Sequence, residues 1–126
     1  MKNTVLSIIL FLTVIGFVFF AHNELINLCD TISADSEKIE ELLNENNWDK
    51  AYADSVVLLE LLRNESFISS MYTNHVELDQ LVDNTVLLTV NIKCKTKNDA
   101  LAALHVVKYN AARIKELQSP KIINIL

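Results

Sequence analysis

Along the first stretch of the chain, Thr4 to Ala21, the hydrophobic pattern has no polar face. TVLSIILFLTVIGFVFFA carries no charge, and its one strong helix breaker is Gly16. Eighteen residues at about 1.5 Å each make roughly 27 Å of helix, the thickness of a bilayer's hydrocarbon core. After Ala21 the pattern becomes amphipathic. Leu25, Leu28, Ile32, Ile39 and Leu42 recur at three- and four-residue steps, with Asp35 interrupting the stripe. This predicts a helix over His22–Asn46, continuous with the apolar one, with Glu37, Glu40, Glu41 and Glu45 mostly on its solvated side.

Three more amphipathic helices follow. Asn47 is a suitable N-cap for a second helix, from Trp48 to about Ser70, that buries Ala51, Ser55, Leu58 and Leu62, with Tyr52, Val56, Leu59 and Arg63 widening the stripe. Asn74 and Glu77 have the spacing of a capping box for a third, from His75 to about Cys94, on Leu78, Leu81, Thr85, Leu88 and Ile92. Lys93, Lys95 and Lys97 lie where the dipole of its end favours cations. Thr96 and Asp99 repeat the cap pattern for a fourth helix, to about Gln118, on Ala100, Leu104, Val107, Ala111 and Ile114, and Pro120 prevents its continuation. Placing Ala51 on Ala100 also pairs Ile32 with Leu81, Ile39 with Leu88, Leu43 with Ile92 and Leu58 with Val107, so each half reads as one helical hairpin.

Composition supports this and excludes other classes. One Gly and one Pro in 126 residues leave no material for glycine-rich phosphate loops, nucleophile elbows or tight β-turns. The expected fold class is all-α: an N-terminal transmembrane helix followed by an antiparallel four-helix bundle of two hairpins. The expected domains are a cytoplasmic stub and anchor at 1–21 and an extracytoplasmic helical domain at 22–126.

The anchor reading competes with two others. A cleaved signal peptide needs small residues one and three places before the cut, and Phe19 occupies the second of these if cleavage follows Ala21. A lipoprotein signal would need a small residue where Leu28 precedes Cys29. A core helix would carry a polar stripe. Lys2 before the span, with Glu24, Asp30 and Asp35 after it, places the amino terminus in the cytoplasm.

Charge is uneven. Residues 22–83 hold 14 acidic and 3 basic side chains, and residues 84–126 hold 2 acidic and 7 basic ones. The acidic balance of the exported part argues against nucleic acid as a partner. The two halves either face one another and partly neutralise, or each presents its own charge to a partner.

The order of several short motifs resembles a known family. The apolar span is followed by Asn47-Trp48-x-x-Ala51, then His75-x-Glu77-x-Asp79, then Asp99-Ala100-Leu101, and finally Asn124-Ile125-Leu126. Together they resemble the domain of unknown function 4363 family, small anchored proteins of Gram-positive bacteria. Where members tend to carry tryptophans late in the second helix, this chain has Phe67 and Tyr72. The resemblance implies topology but no activity. Family genes often lie beside one for a small multi-span membrane protein, which implies a membrane partner.

Candidate chemistry is sparse. His75 and Asp79 share a helix face near Glu77, but His22 and His105 have no spacing that completes a metal site. The expected role of Glu77 is to cap the helix, and that of His75 a polar contact at the turn. Trp48 is expected to pack across the hairpin rather than stack on a ligand. The run Phe67 to Thr73, with Phe67, Ile68, Met71 and Tyr72, serves as core or meets the lipid interface. Serines 55, 66, 69 and 70 have no nucleophile setting, adjacent Glu40 and Glu41 point apart, and Asn64-Glu65-Ser66 matches a glycosylation acceptor only where that machinery exists. Cys29 and Cys94, at opposite ends of the bundle, are not expected to pair within one chain, while pairing of Cys29 with its copy stays open. The apolar tail Ile122 to Leu126 is expected to dock on the turn Phe67 to Asn74.

No catalytic, cofactor-binding or metal residues are assigned and no cofactor is expected. The expected function is a non-enzymatic interaction module tethered to the outer face of the cytoplasmic membrane. It would meet the bilayer through residues 4–21 and a multi-span membrane protein through its domain, with homo-oligomerisation left open. The alternative is an extracytoplasmic ligand- or metal-sensing domain acting through a membrane partner.

Overall fold

The computed structural model describes the backbone of residues 1–70 and 75–118, and the side chains of residues 1–64 and 76–117. It is all-α. Among the described residues there are four helices and no strand: α1 (Lys2–Asn44), α2 (Trp48–Ser70), α3 (His75–Lys93) and α4 (Lys97–Gln118). The boundaries fall within a few residues of those that capping and periodicity predict. The tail Ile122 to Leu126, the capping residue Asn74, Met71 to Thr73 and every side chain of the run Phe67 to Thr73 lie outside the described ones.

α1 is one unbroken helix whose surroundings change part-way along it. Residues 1–20 are exposed throughout, and burial begins at Ala21. From there Leu25, Leu28, Cys29, Ile32, Ser36, Ile39 and Leu43 face inward. The expected stripe shifts slightly: Ser36 fills the turn left open by half-exposed Asp35, and Leu43 is fully buried where Leu42 is partly so. α1 packs on α2 and α4, and α3 also packs on α2 and α4. The central stripes of α2, α3 and α4 predicted by periodicity are buried, and their apolar members form one continuous cluster with α1, but the expected widening of the α2 stripe fails: Val56 and Leu59 are half-buried, and Tyr52 and Arg63 are exposed. Fully burying a leucine or isoleucine contributes about 1.5–3 kcal/mol, so this shared core, rather than helix propensity, holds the helices together.

The internal repeat is three-dimensional. The alignment of Ala51 with Ala100 puts buried residue on buried residue at Cys29/Leu78, Ile32/Leu81, Ser36/Thr85, Ile39/Leu88, Leu43/Ile92, Ser55/Leu104, Leu58/Val107 and Leu62/Ala111. It also superposes the connectors. Asn46 N–H donates to the Leu43 carbonyl at 3.1 Å and Asn47 N–H to that of Leu42 at 2.9 Å; Lys95 N–H donates to Ile92 and Thr96 N–H to Asn91, each at 3.0 Å. This is the Schellman arrangement, and it requires a left-handed residue after the helix end. Asn46 (φ 59°) and Lys95 (φ 57°) take that place, so the connectors are made without glycine.

Asparagine tolerates this conformation through its short polar side chain, whereas lysine does so at a steric cost of roughly 1 kcal/mol. Lys95→Gly is therefore expected to raise the melting temperature by a few degrees, more than Asn46→Gly does, as read by thermal circular dichroism. Equal or negative shifts for Lys95→Gly would mean that its side chain contributes more than the backbone loses.

The caps differ in detail. Lys50 N–H donates to Asn47 Oδ1 at 3.4 Å, a long version of the expected N-cap. The Thr96 hydroxyl instead donates back to the Asn91 carbonyl at 3.1 Å. Lys97, expected to complement the end of the third helix, opens α4, and its Nζ donates to Asn46 Oδ1 at 3.3 Å, tying the two connectors together.

Candidate functional site

Three features of the surface could carry function: the apolar start of α1, the charged seam between α1 and α4, and the outer faces of the hairpins. The first spans Lys2 to Ala21. α1 is the helix with the length and composition of a membrane span or signal anchor, and its apolar window is almost wholly outside the core. An exposed run of Val, Leu, Ile and Phe of this size is unfavourable in water, at about 25 cal/mol per Å² of apolar surface, and favourable in lipid.

The seam is a ladder of opposite charges. Lys115 Nζ donates to Asp30 Oδ1 at 2.6 Å, Lys108 Nζ lies 3.5 Å from Glu37 Oε1, and His105 Nε2 lies 4.0 Å from Glu40 Oε1. Along this seam the α1 numbers rise as the α4 numbers fall. The acidic first half and basic second half thus face one another along this seam. The pairs are largely exposed, so they fix register more than they add stability. The hydrogen bond that Lys115 donates to Asp30 raises the Lys115 pKa from its ordinary value. Between α3 and α4, Arg113 Nη2 lies 3.4 Å from Glu77 Oε1, while Glu77 Oε2 is buried without a hydrogen-bond partner.

The residues singled out from sequence are not brought together. Asp79 is exposed, His22 is half-buried, and His105 is engaged at the seam. The side chain of His75 lies outside the described ones. No group of three His, Cys, Asp or Glu side chains suited to a metal occurs among the described residues. Glu77 pairs with Arg113. The Ser55 hydroxyl is buried and donates to the Tyr52 carbonyl at 2.7 Å, which makes it a core residue. Serines 66, 69 and 70 lie outside the described side chains. Trp48 packs against the core, half-buried, as expected of a large aromatic at a hairpin.

Periodicity overlooked one feature. Leu87, Val90 and Val106 project outward from α3 and α4, with 51%, 50% and 42% of their surfaces exposed. The signal was present in the doublet Leu87-Leu88, since neighbouring helix positions cannot both face the core.

The two cysteines differ in environment. Both are free thiols, and Cys29 is buried at 2% exposure, whereas Cys94 is exposed. Pairing of Cys29 with its copy, left open by the sequence, would require α1 to come away from the core at this position. Burial, with a smaller contribution from Asp30, pushes the Cys29 thiol up to about 11. A maleimide reagent is therefore expected to modify Cys94 within minutes in the folded protein and Cys29 only after denaturation. Peptide mapping of the labelled sites reads this directly, and rapid native labelling of Cys29 would show that α1 does not pack as described.

A family model described as a domain of unknown function, DUF4363, matches residues 19–125. The chain belongs to this family. The match begins at Phe19, so the DUF4363 unit comprises the last residues of the apolar stretch and the whole helical array. Neither a curated protein nor a solved structure matches the chain.

Proposed function

We propose that this DUF4363 protein is a non-enzymatic, membrane-tethered interaction module. In this reading residues 4–21 cross the cytoplasmic membrane with the amino terminus inside. Residues 22–126 form an antiparallel four-helix bundle of two hairpins on the outer face. The observation that carries the proposal is the change along α1: exposed and apolar from Thr4 to Phe20, then with one face buried from Ala21 onward, with no break in the helix. A leader destined for removal has no need to run without interruption into the core helix of the domain. The bundle is supported by the closed cycle of packed neighbours, α1 on α2, α2 on α3, α3 on α4 and α4 on α1, and by the opposed numbering of the charged seam. A multi-span membrane protein is the proposed partner class. The unbroken helix also favours the alternative, an extracytoplasmic sensor, since a continuous rod transmits displacement from domain to span.

Topology is tested by fusing reporters after Leu126 and washing the membranes at alkaline pH. The expected result is activity only of the export-dependent reporter, with the protein retained in the pellet. Activity of a cytoplasmic reporter, or release on washing, would overturn the reading.

A further inference from the structure

The two hairpins have equivalent outer grooves with opposite chemistry. The groove between α1 and α2 is lined by Asp35, Lys38, Asp54 and Val57, with Glu41 beside it. Under the alignment of Ala51 with Ala100, its counterpart between α3 and α4 has Asn84, Leu87, Ala103 and Val106 at those positions, with Val90 in place of Glu41. Charge is thus replaced by neutral and apolar side chains at matched places, and Asp99 stands at the distal rim.

From this contrast we infer that the outer face of α3 and α4 binds a second copy of this chain, side by side and in parallel. Along α3 and into the turn that follows it, the residues Asn84, Leu87, Asn91 and Cys94 follow the alternating three- and four-residue spacing of a coiled-coil seam. In a parallel two-fold pair each residue near the axis meets its own copy. A charge there meets a like charge, as Lys38 or Glu41 would on the other hairpin, whereas leucine and valine meet apolar surface. Asparagine is both donor and acceptor, so Asn84 can bond to Asn84 of a copy, and a polar residue at such a position selects register. The surface is therefore complementary to itself in charge and in hydrogen bonding.

Lipid does not cover this face. His105, next to Val106, lies level with Glu40 of α1, which is roughly 28 Å of helix beyond Ala21. The parallel arrangement rests on the anchoring proposed above, which holds copies upright on one surface and raises their effective concentration.

The experiment is disulfide cross-linking of the full chain in membranes, in a Cys94→Ser background. Leu87→Cys is compared with Lys38→Cys, its counterpart on the first hairpin. Alkaline-washed pellets are used, so that loss of anchoring is seen separately as release of protein. Leu87→Cys is expected to form covalent dimers at least about tenfold faster than Lys38→Cys, the difference between a docked pair and chance collision of tethered chains. Adding Leu87→Glu to a Val90→Cys chain should slow its cross-linking by a similar factor, with helicity unchanged by circular dichroism. Equal rates at Leu87→Cys and Lys38→Cys, no dimer at all, or cross-linking of Leu87→Cys only to a different protein would each overturn the inference while leaving the anchor intact. Release from the pellet would instead remove the anchoring itself, and the upright pairing with it.

Discussion

Leu88→Ala is expected to destabilise the helical domain by about 3 kcal/mol, with Ile39→Ala close behind. Both side chains have no exposed surface and occupy equivalent places in the two hairpins. Truncating a buried leucine or isoleucine loses its transfer free energy and leaves a cavity that the surrounding helices fill only in part, for a usual cost of 2–5 kcal/mol. For a domain of this size that corresponds to a fall of roughly 12–24 °C in melting temperature. Val57→Ala, at 61% exposure, is the control and is expected to change stability by less than about 0.5 kcal/mol. Urea unfolding of the region from His22 onward measures all three. A cost for Leu88→Ala no larger than that for Val57→Ala would mean that α3 is not part of a shared core.

A second large effect is expected at high pH. The Cys29 thiol titrates near 11 in the folded chain, against 9.0 when exposed in the unfolded one. Below pH 9 it is protonated in both states and contributes no pH dependence. Between pH 9 and 11 the unfolded chain gives up this proton and the folded chain keeps it, so unfolding becomes more favourable as pH rises. Two decades of difference correspond to a loss of about 2 kcal/mol by pH 11. Lys115 acts in the same direction. Its folded pKa is raised by Asp30, so its contribution is present below the unfolded value and disappears as pH passes the folded one. Denaturant midpoints at pH 8 and pH 11 should therefore diverge, and Cys29→Ala should remove most of the difference. An equally steep loss in Cys29→Ala would assign it to other groups.

The seam between α1 and α4 shows how far charge counts reach. Fourteen acidic groups in one segment and seven basic ones in the other indicate that the halves differ, but not where they meet. The structure pairs Asp30 with Lys115 and Glu37 with Lys108, residues far apart in the chain whose facing depends on how the hairpins pack. The outer groove of α3 and α4 was likewise hidden. Its residues become conspicuous only when the first hairpin supplies charged counterparts at the same positions.

By itself the sequence determined the four helices, most of their inward positions, the apolar first stretch and the internal repeat. Each of these is local: it follows from a 3.6-residue period, from capping residues and from the scarcity of glycine and proline, all of which act within a few turns of chain. Tertiary structure alone decided that α4 closes against α1, that Cys29 faces the core while Cys94 does not, and that Ser36 is accepted inside without a hydrogen-bond partner. It also decided that Asn46 and Lys95 turn left-handed without glycine. These outcomes are non-local. A buried stripe specifies that a helix must be covered, whereas the identity of the covering helix, and the strain a connector accepts to bring it there, depend on how all four stripes fill one volume.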